Sequence, residues 1–139
     1  MRRIWFAVMG GTFLLVGVGF AGAFGLEGTT DPATAIALVL WFSAALLYVL
    51  GGLGKSIGGL AWFQFVGLGN VCLGLQLLTQ IPVALADGIP GTEALVVTIA
   101  TGLGGLSLSF IGLDWFRGGR HFDLSAFDDG PSAGPEQSR

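Results

Sequence analysis

Apolar residues fall in four long runs, 4–26, 33–53, 57–78 and 94–116, separated by short segments that hold most of the polar side chains. A helix rises about 1.5 Å per residue, and roughly 20 residues cover the ~30 Å hydrocarbon core of a bilayer. Each run therefore predicts a membrane-crossing helix. The fold class read from this pattern is an all-α membrane protein, a four-transmembrane-helix bundle occupying residues 1–121.

The connections fit a bundle with short loops. In the first, Thr30-Asp31-Pro32 predicts a helix N-cap followed by proline in the first turn. The second is only Gly54-Lys55-Ser56, read as a tight turn; it lacks the earlier glycine that a phosphate-binding loop requires, since Val49 stands there. The third, residues 79–93, carries the turn signals Pro82, Asp87-Gly88 and Pro90-Gly91. Its apolar stretch 81–86 is expected at the outer interface, and Thr92 is expected to cap the fourth helix. Residues 122–139 form a cytoplasmic tail, disordered from Asp128 on, in which Phe122, Leu124 and Phe127 would dip into the interface or dock a partner.

Charge sharpens this picture. Only 11% of the 139 residues are charged, against about a quarter in soluble domains, so an ordinary soluble surface is excluded. The four runs hold one ionisable acid or base, Asp114, in the last turn of the fourth. Arg2, Arg3, Lys55, Arg117, Arg120 and His121 fall on one side of the predicted spans, and Glu27, Asp31, Asp87 and Glu93 on the other. The positive-inside bias then places both termini in the cytoplasm of a cell whose cytoplasmic membrane the chain crosses four times. Arg2-Arg3, a long apolar stretch and Ala21-Gly22-Ala23 have the outline of an export signal, but the apolar run exceeds the about 7 to 15 residues of such signals. It is read as a retained first span.

The 25 glycines supply a packing logic. Helices in lipid have no hydrophobic drive toward one another, and small residues let their backbones approach. Gly10, Gly17 and Ala21 share a face of the first span, Gly67 and Gly74 a face of the third, and Thr101, Gly105 and Ser109 a face of the fourth. Spans one and three are expected to cross along their grooves at the bundle centre. The second span, with Trp41, Phe42, Leu46, Leu47 and Tyr48, is expected to face lipid or a partner. An offset of 57 residues aligns Trp5-Phe6 with Trp62-Phe63, Gly10 with Gly67, Gly17 with Gly74 and residues 37–39 with 94–96, the signature of a tandem duplication of a two-helix hairpin.

Candidate chemistry is sparse. Gln64, Asn70, Gln76 and Gln80 mark the third span as either a polar path for a small solute or a set of interhelical hydrogen bonds, the second being preferred. Coupled transport needs an intramembrane acid or base; small multidrug transporters share the span count but rely on a glutamate in the first helix, and this first helix has no ionisable group. One histidine and one cysteine, His121 and Cys72, assemble no metal or haem site within a chain. Asp114, Arg117 and His121 at the cytoplasmic interface are the one cluster with reactive groups. No enzyme, cofactor, metal or nucleic-acid partner is expected. The reading is a small polytopic membrane protein acting by helix packing, as a homo-oligomer or accessory subunit; the alternative is a channel or facilitator for a small neutral or weakly polar solute.

Overall fold

Helix α1 spans Ile4–Phe24, α2 Pro32–Gly52, α3 Trp62–Ala86 and α4 Thr92–Phe116 in the computed structural model. It describes residues 3–25, 31–54, 58–89, 91–122, 124 and 127. All four helices are long and apolar enough to cross a membrane. The end of the tail, from Asp128 on, lies outside the described residues, as do Arg2, Lys55 and Ser56.

Local chemistry sets the helix bounds. At the start of α2, the Asp31 carboxylate accepts from the Thr34 backbone N–H at 2.8 Å and the Thr34 hydroxyl at 2.9 Å, with Pro32 in the first turn. The Thr34 backbone N–H, more than any other group, holds that carboxyl below its ordinary range. Helix α3 departs from the expected 57–78 at both ends. Gly58 and Gly59 sit at φ 63° and 82°, left-handed backbone that no helix continues through, so α3 starts only at Trp62. The Gln64 side chain reaches back to accept from the Ala61 N–H at 2.8 Å and satisfies one of the orphan donors of that first turn. At the other end α3 runs through Pro82 to Ala86. Proline removes one rung of the ladder, and the apolar residues on either side keep the helix going until Gly88 turns left-handed at φ 78°. Residues 81–86 are thus the last turns of α3 and not an interfacial loop. Thr92 is the first residue of α4, after Gly91 at φ 150°, and does not cap it.

The helices form an antiparallel row in chain order, α1 on α2, α2 on α3 and α3 on α4. Glycine decides each contact. A Cβ on Gly10 would lie 2.6 Å from the Ala45 carbonyl oxygen and 2.7 Å from the Val49 nitrogen; one on Gly17 would meet the Phe42 ring at 2.9 Å. On the opposite side of α2, a Cβ on Gly51 would lie 2.9 Å from the Trp62 carbonyl oxygen. A Cβ on Gly67 would lie 2.6 Å from the Gly112 oxygen, and one on Gly74 2.5 Å from the Gly105 oxygen. Backbone touches backbone at Gly10, Gly51, Gly67 and Gly74, and at Gly17 backbone meets the Phe42 and Trp41 rings.

Two expectations are corrected here. The glycine faces of α1 and α3 do not meet each other; each faces the helix that follows it. Helix α2 is one of the two inner helices of the row and not a peripheral one, because Ala44, Ala45, Tyr48, Gly51 and Gly52 form a buried stripe that accepts α1 on one flank and α3 on the other. Corresponding glycines in the two hairpins thus take corresponding partners, but in a different register. An offset of 57 would carry the Ala45 and Val49 contacts of Gly10 to residues 102 and 106, whereas Gly67 meets Gly112 and Phe116.

Antiparallel order also sorts charge. Arg3, Arg117, Arg120 and His121 gather at one end of the row with Asp114, and Asp31, Asp87 and Glu93 lie at the other. Between the ends the flanks are apolar: Leu15 is 76% exposed, Val39 66% and Leu103 61%.

The same substitution should have opposite signs on the two faces of these helices. Gly67→Ala drives a methyl into the α4 backbone and is expected to destabilise by about 1–3 kcal/mol. Gly11→Ala meets nothing within 4 Å and is expected to be neutral or to stabilise by up to about 1 kcal/mol through helix propensity. Reversible SDS unfolding in mixed micelles checks both; equal effects would remove the close-approach account.

Candidate functional site

At the Arg3 end each helix contributes an aromatic residue to one cluster. Phe6 of α1 is its hub: its ring stacks on Tyr48 of α2 with centroids 6.4 Å apart, lies 6.3 Å from Trp62 of α3, and meets Trp115 of α4 edge-on at 5.7 Å. Edge-to-face pairs in this range add roughly 0.5–1.5 kcal/mol beyond area burial. Phe127 closes the cluster from beyond α4, at 5.5 Å from Phe6 and 5.4 Å from Trp115. Arg3 covers it, with its guanidinium carbon 5.2 Å from the Trp62 ring centroid and its Nε donating to the Phe127 carbonyl at 3.4 Å. Leu124 and Phe127 therefore pack on their own bundle, while Phe122 is exposed.

Asp114 holds that closing segment in place. Only 5% exposed, its carboxylate accepts from the His121 backbone N–H at 3.1 and 3.2 Å, from the Phe122 N–H at 3.2 Å, and from His121 Nδ1 at 2.7 Å. Its backbone carbonyl accepts from the Gly119 N–H at 2.9 Å. The chain can turn this tightly because Gly118 and Gly119 adopt φ 95° and 69°. Asp114 and His121 thus come together, whereas Arg117 and Arg120 point to the surface. Both carboxylate oxygens are taken by the turn they order, an arrangement that positions a segment.

The polar residues of α3 divide into two pairs. Asn70, buried between its neighbours Gly67 and Gly74, accepts through Oδ1 from the Tyr48 hydroxyl of α2. Besides closing the first turn of α3, Gln64 donates through Nε2 to the Phe116 carbonyl at the end of α4, at 3.3 Å. These two tie α3 to the helices on either side. Gln76 and Gln80 lie nearer the other end and line a cleft with α1 and α2. Gln64 and Asn70 do not reach that cleft, so the four residues form no single path.

Of the packing residues, Gly105 and Ser109 face Gly74, Thr101 borders a second cleft with Gln80 and Ile81, and Ala21 is half-buried. Gly112 and Tyr48 escaped the sequence reading as packing and bonding partners. Gly112 lies three residues beyond Ser109, on the same helical face as Gly105 and Ser109, and Tyr48 shares a helical face with Ala44, Ala45, Gly51 and Gly52, so the signal for both was present. Ser109 Oγ and Trp115 Nε1 are buried without a hydrogen-bond partner among the described residues. In the same set no three His, Cys, Asp or Glu side chains come together.

Two outcomes follow. A double-mutant cycle of Tyr48→Phe and Asn70→Leu should give a coupling of about 0.6 kcal/mol and no more than ~1.7, the range for interhelical bonds between membrane helices; zero coupling would leave Asn70 unassigned as a tie. Asp114→Ala should free the closing segment, so that trypsin cuts after Arg117 and Arg120 several-fold faster while circular dichroism stays unchanged. Unaltered cleavage would show that the aromatic contacts hold the segment alone.

No curated protein and no solved structure matches the chain. Residues 1–128 match a family of unknown function, DUF7994, which covers the four helices and the closing segment through Phe127. The chain belongs to that family.

Proposed function

We propose that this protein is a multi-pass integral protein of the cytoplasmic membrane, with both termini in the cytoplasm. It acts through helix packing, as a homo-oligomer or as an accessory subunit of a membrane complex, and has no enzymatic chemistry and no cofactor. The separation of charge carries this reading: Arg3, Arg117, Arg120 and His121 gather at one end of an antiparallel row of apolar helices and Asp31, Asp87 and Glu93 lie at the other, with uncovered apolar flanks between. A bilayer is the solvent that such flanks require, and the basic end is the one that stays inside. Helix α4, at one end of the row, keeps Leu95, Val96, Val97, Ile99, Leu103 and Leu106 uncovered, a surface for lipid or a partner span.

The channel reading rests on Gln64, Asn70 and Gln76. Engagement of Asn70 by Tyr48 and of Gln64 by the Phe116 carbonyl supports packing over a solute path, since a pore-lining amide must exchange its bonds with the solute.

Topology and activity are tested together. On right-side-out vesicles carrying a Cys72→Ala background, Asp87→Cys should react with a membrane-impermeant maleimide and Arg120→Cys should not until the vesicles are opened; the reverse pattern overturns the orientation. In proteoliposomes, uptake of water, glycerol or urea above protein-free vesicles, abolished by Gln76→Leu, would replace the packing reading with the facilitator.

A further inference from the structure

Away from the aromatic cluster the helices leave a cleft of about 350 Å³ between α1, α2 and α3. Val16 and Phe20 wall it on one side, Leu38 and Trp41 on another, Gln76 and Gln80 on the third. Gly17 lies at its floor, where a Cβ would crowd the Phe42 ring and the Trp41 indole nitrogen. The indole N–H of Trp41 already donates to the Phe13 carbonyl at 3.0 Å, which fixes the ring as an apolar wall. The Thr34 hydroxyl on the rim is committed to Asp31.

Two polar groups are left over. The side-chain amides of Gln76 and Gln80, four residues apart on one face of α3, have no hydrogen-bond partner among the described residues. In the membrane reading, on which this inference rests, Trp62 marks the inner boundary of the hydrocarbon. At about 1.5 Å per residue Gln76 then lies roughly 21 Å from it and Gln80 roughly 27 Å, just inside the far boundary of a ~30 Å core. An unpaired amide there is costly, and the partners at that depth are water and the polar groups next to a lipid chain. None of the lining side chains is ionisable, so nothing in the cleft selects a charged group. Its volume is at the low end for ligand sites, room for one chain and not for a two-chain lipid body.

We propose that this cleft binds one hydrocarbon chain of a neutral lipid from the outer leaflet, with the hydroxyl or ester oxygens at the head of that chain bonded to the Gln76 and Gln80 amides. Val16, Phe20, Leu38 and Trp41 hold the chain; the two glutamines set its depth.

The full-length chain, reconstituted in phosphatidylcholine vesicles containing 1-oleoylglycerol and released into mild detergent, is weighed by native mass spectrometry. One saturable 1-oleoylglycerol per chain is expected. Gln76→Leu combined with Gln80→Leu should weaken its retention roughly tenfold, as loss of two such hydrogen bonds implies. Ala37→Trp, which fills the cleft, should abolish it. An unsaturable ladder of adducts, retention unchanged in the glutamine pair, or phosphatidylcholine in place of 1-oleoylglycerol overturns the proposal. Should Ala37→Trp not fold, the glutamine pair still decides, because it only replaces amides by apolar groups on a helix flank. Flotation of the chain with the vesicles is scored separately: a chain that does not float defeats the membrane reading, whereas one that floats and takes up no lipid defeats only the cleft assignment.

Discussion

Contact between helix backbones at glycine is the constraint on which the rest of the structure depends. In water, burial of leucine and phenylalanine would hold four helices together; in the bilayer proposed for this chain, the lipid outside is as apolar as the side chains within, and association would rest on van der Waals contact and hydrogen bonds. Gly10 against Ala45, Gly51 against Trp62 and Gly67 against Gly112 bring main chains close enough for both. That approach also sets the reach of the polar ties. Tyr48 and Asn70 meet because Gly69 lies against the Ala44 carbonyl, where an added Cβ would be 3.4 Å away. Gln64 reaches the Phe116 carbonyl because Gly67 and Gly112 let α4 lie along α3.

Helix number, approximate bounds and the sorting of charge were legible because each depends on local composition. The Asp31 cap was legible for the same reason, as its spacing encodes the bond. Partner choice was not. A glycine stripe reports that something comes close and says nothing about which helix, so the stripes of α1 and α3 suggested each other when each faces the next helix in the chain. Weighing the bulk of Trp41 and Phe42 over the small stripe through Ala44, Ala45, Gly51 and Gly52 assigned α2 to the periphery, although small residues are what an inner helix needs. Pro82 was read as a loop signal, yet one missing rung does not outweigh the turns that follow it.

The two ends of the row are built differently. Around Phe6 the helices converge on rings that interlock across all four elements, and Leu124 and Phe127 fill what remains. Toward Asp31 no comparable cluster forms among the described residues; clefts open beside Gln80 on both flanks of α3. Rigid packing at one end and spare volume at the other is how a bundle keeps its topology while leaving room for a ligand or a neighbouring helix.

Asp114 joins these features. It is the one acid within the apolar runs, and its surroundings give it a mechanical task. Helices α1 and α4 are the ends of the row, and they meet chiefly through side chains, Phe6 against Trp115. By ordering residues 118–122, the Asp114 carboxylate returns Phe127 to the seam between them, where Arg3 at the N-terminus of α1 donates to the Phe127 carbonyl. A carboxylate near the end of one helix thus closes the row through a segment that belongs to no helix. The charge can be kept in so buried a place because three donors of the turn, two of them backbone N–H groups, surround it. Closure of the row at this end therefore depends on a polar clasp, while its separate contacts depend on glycine.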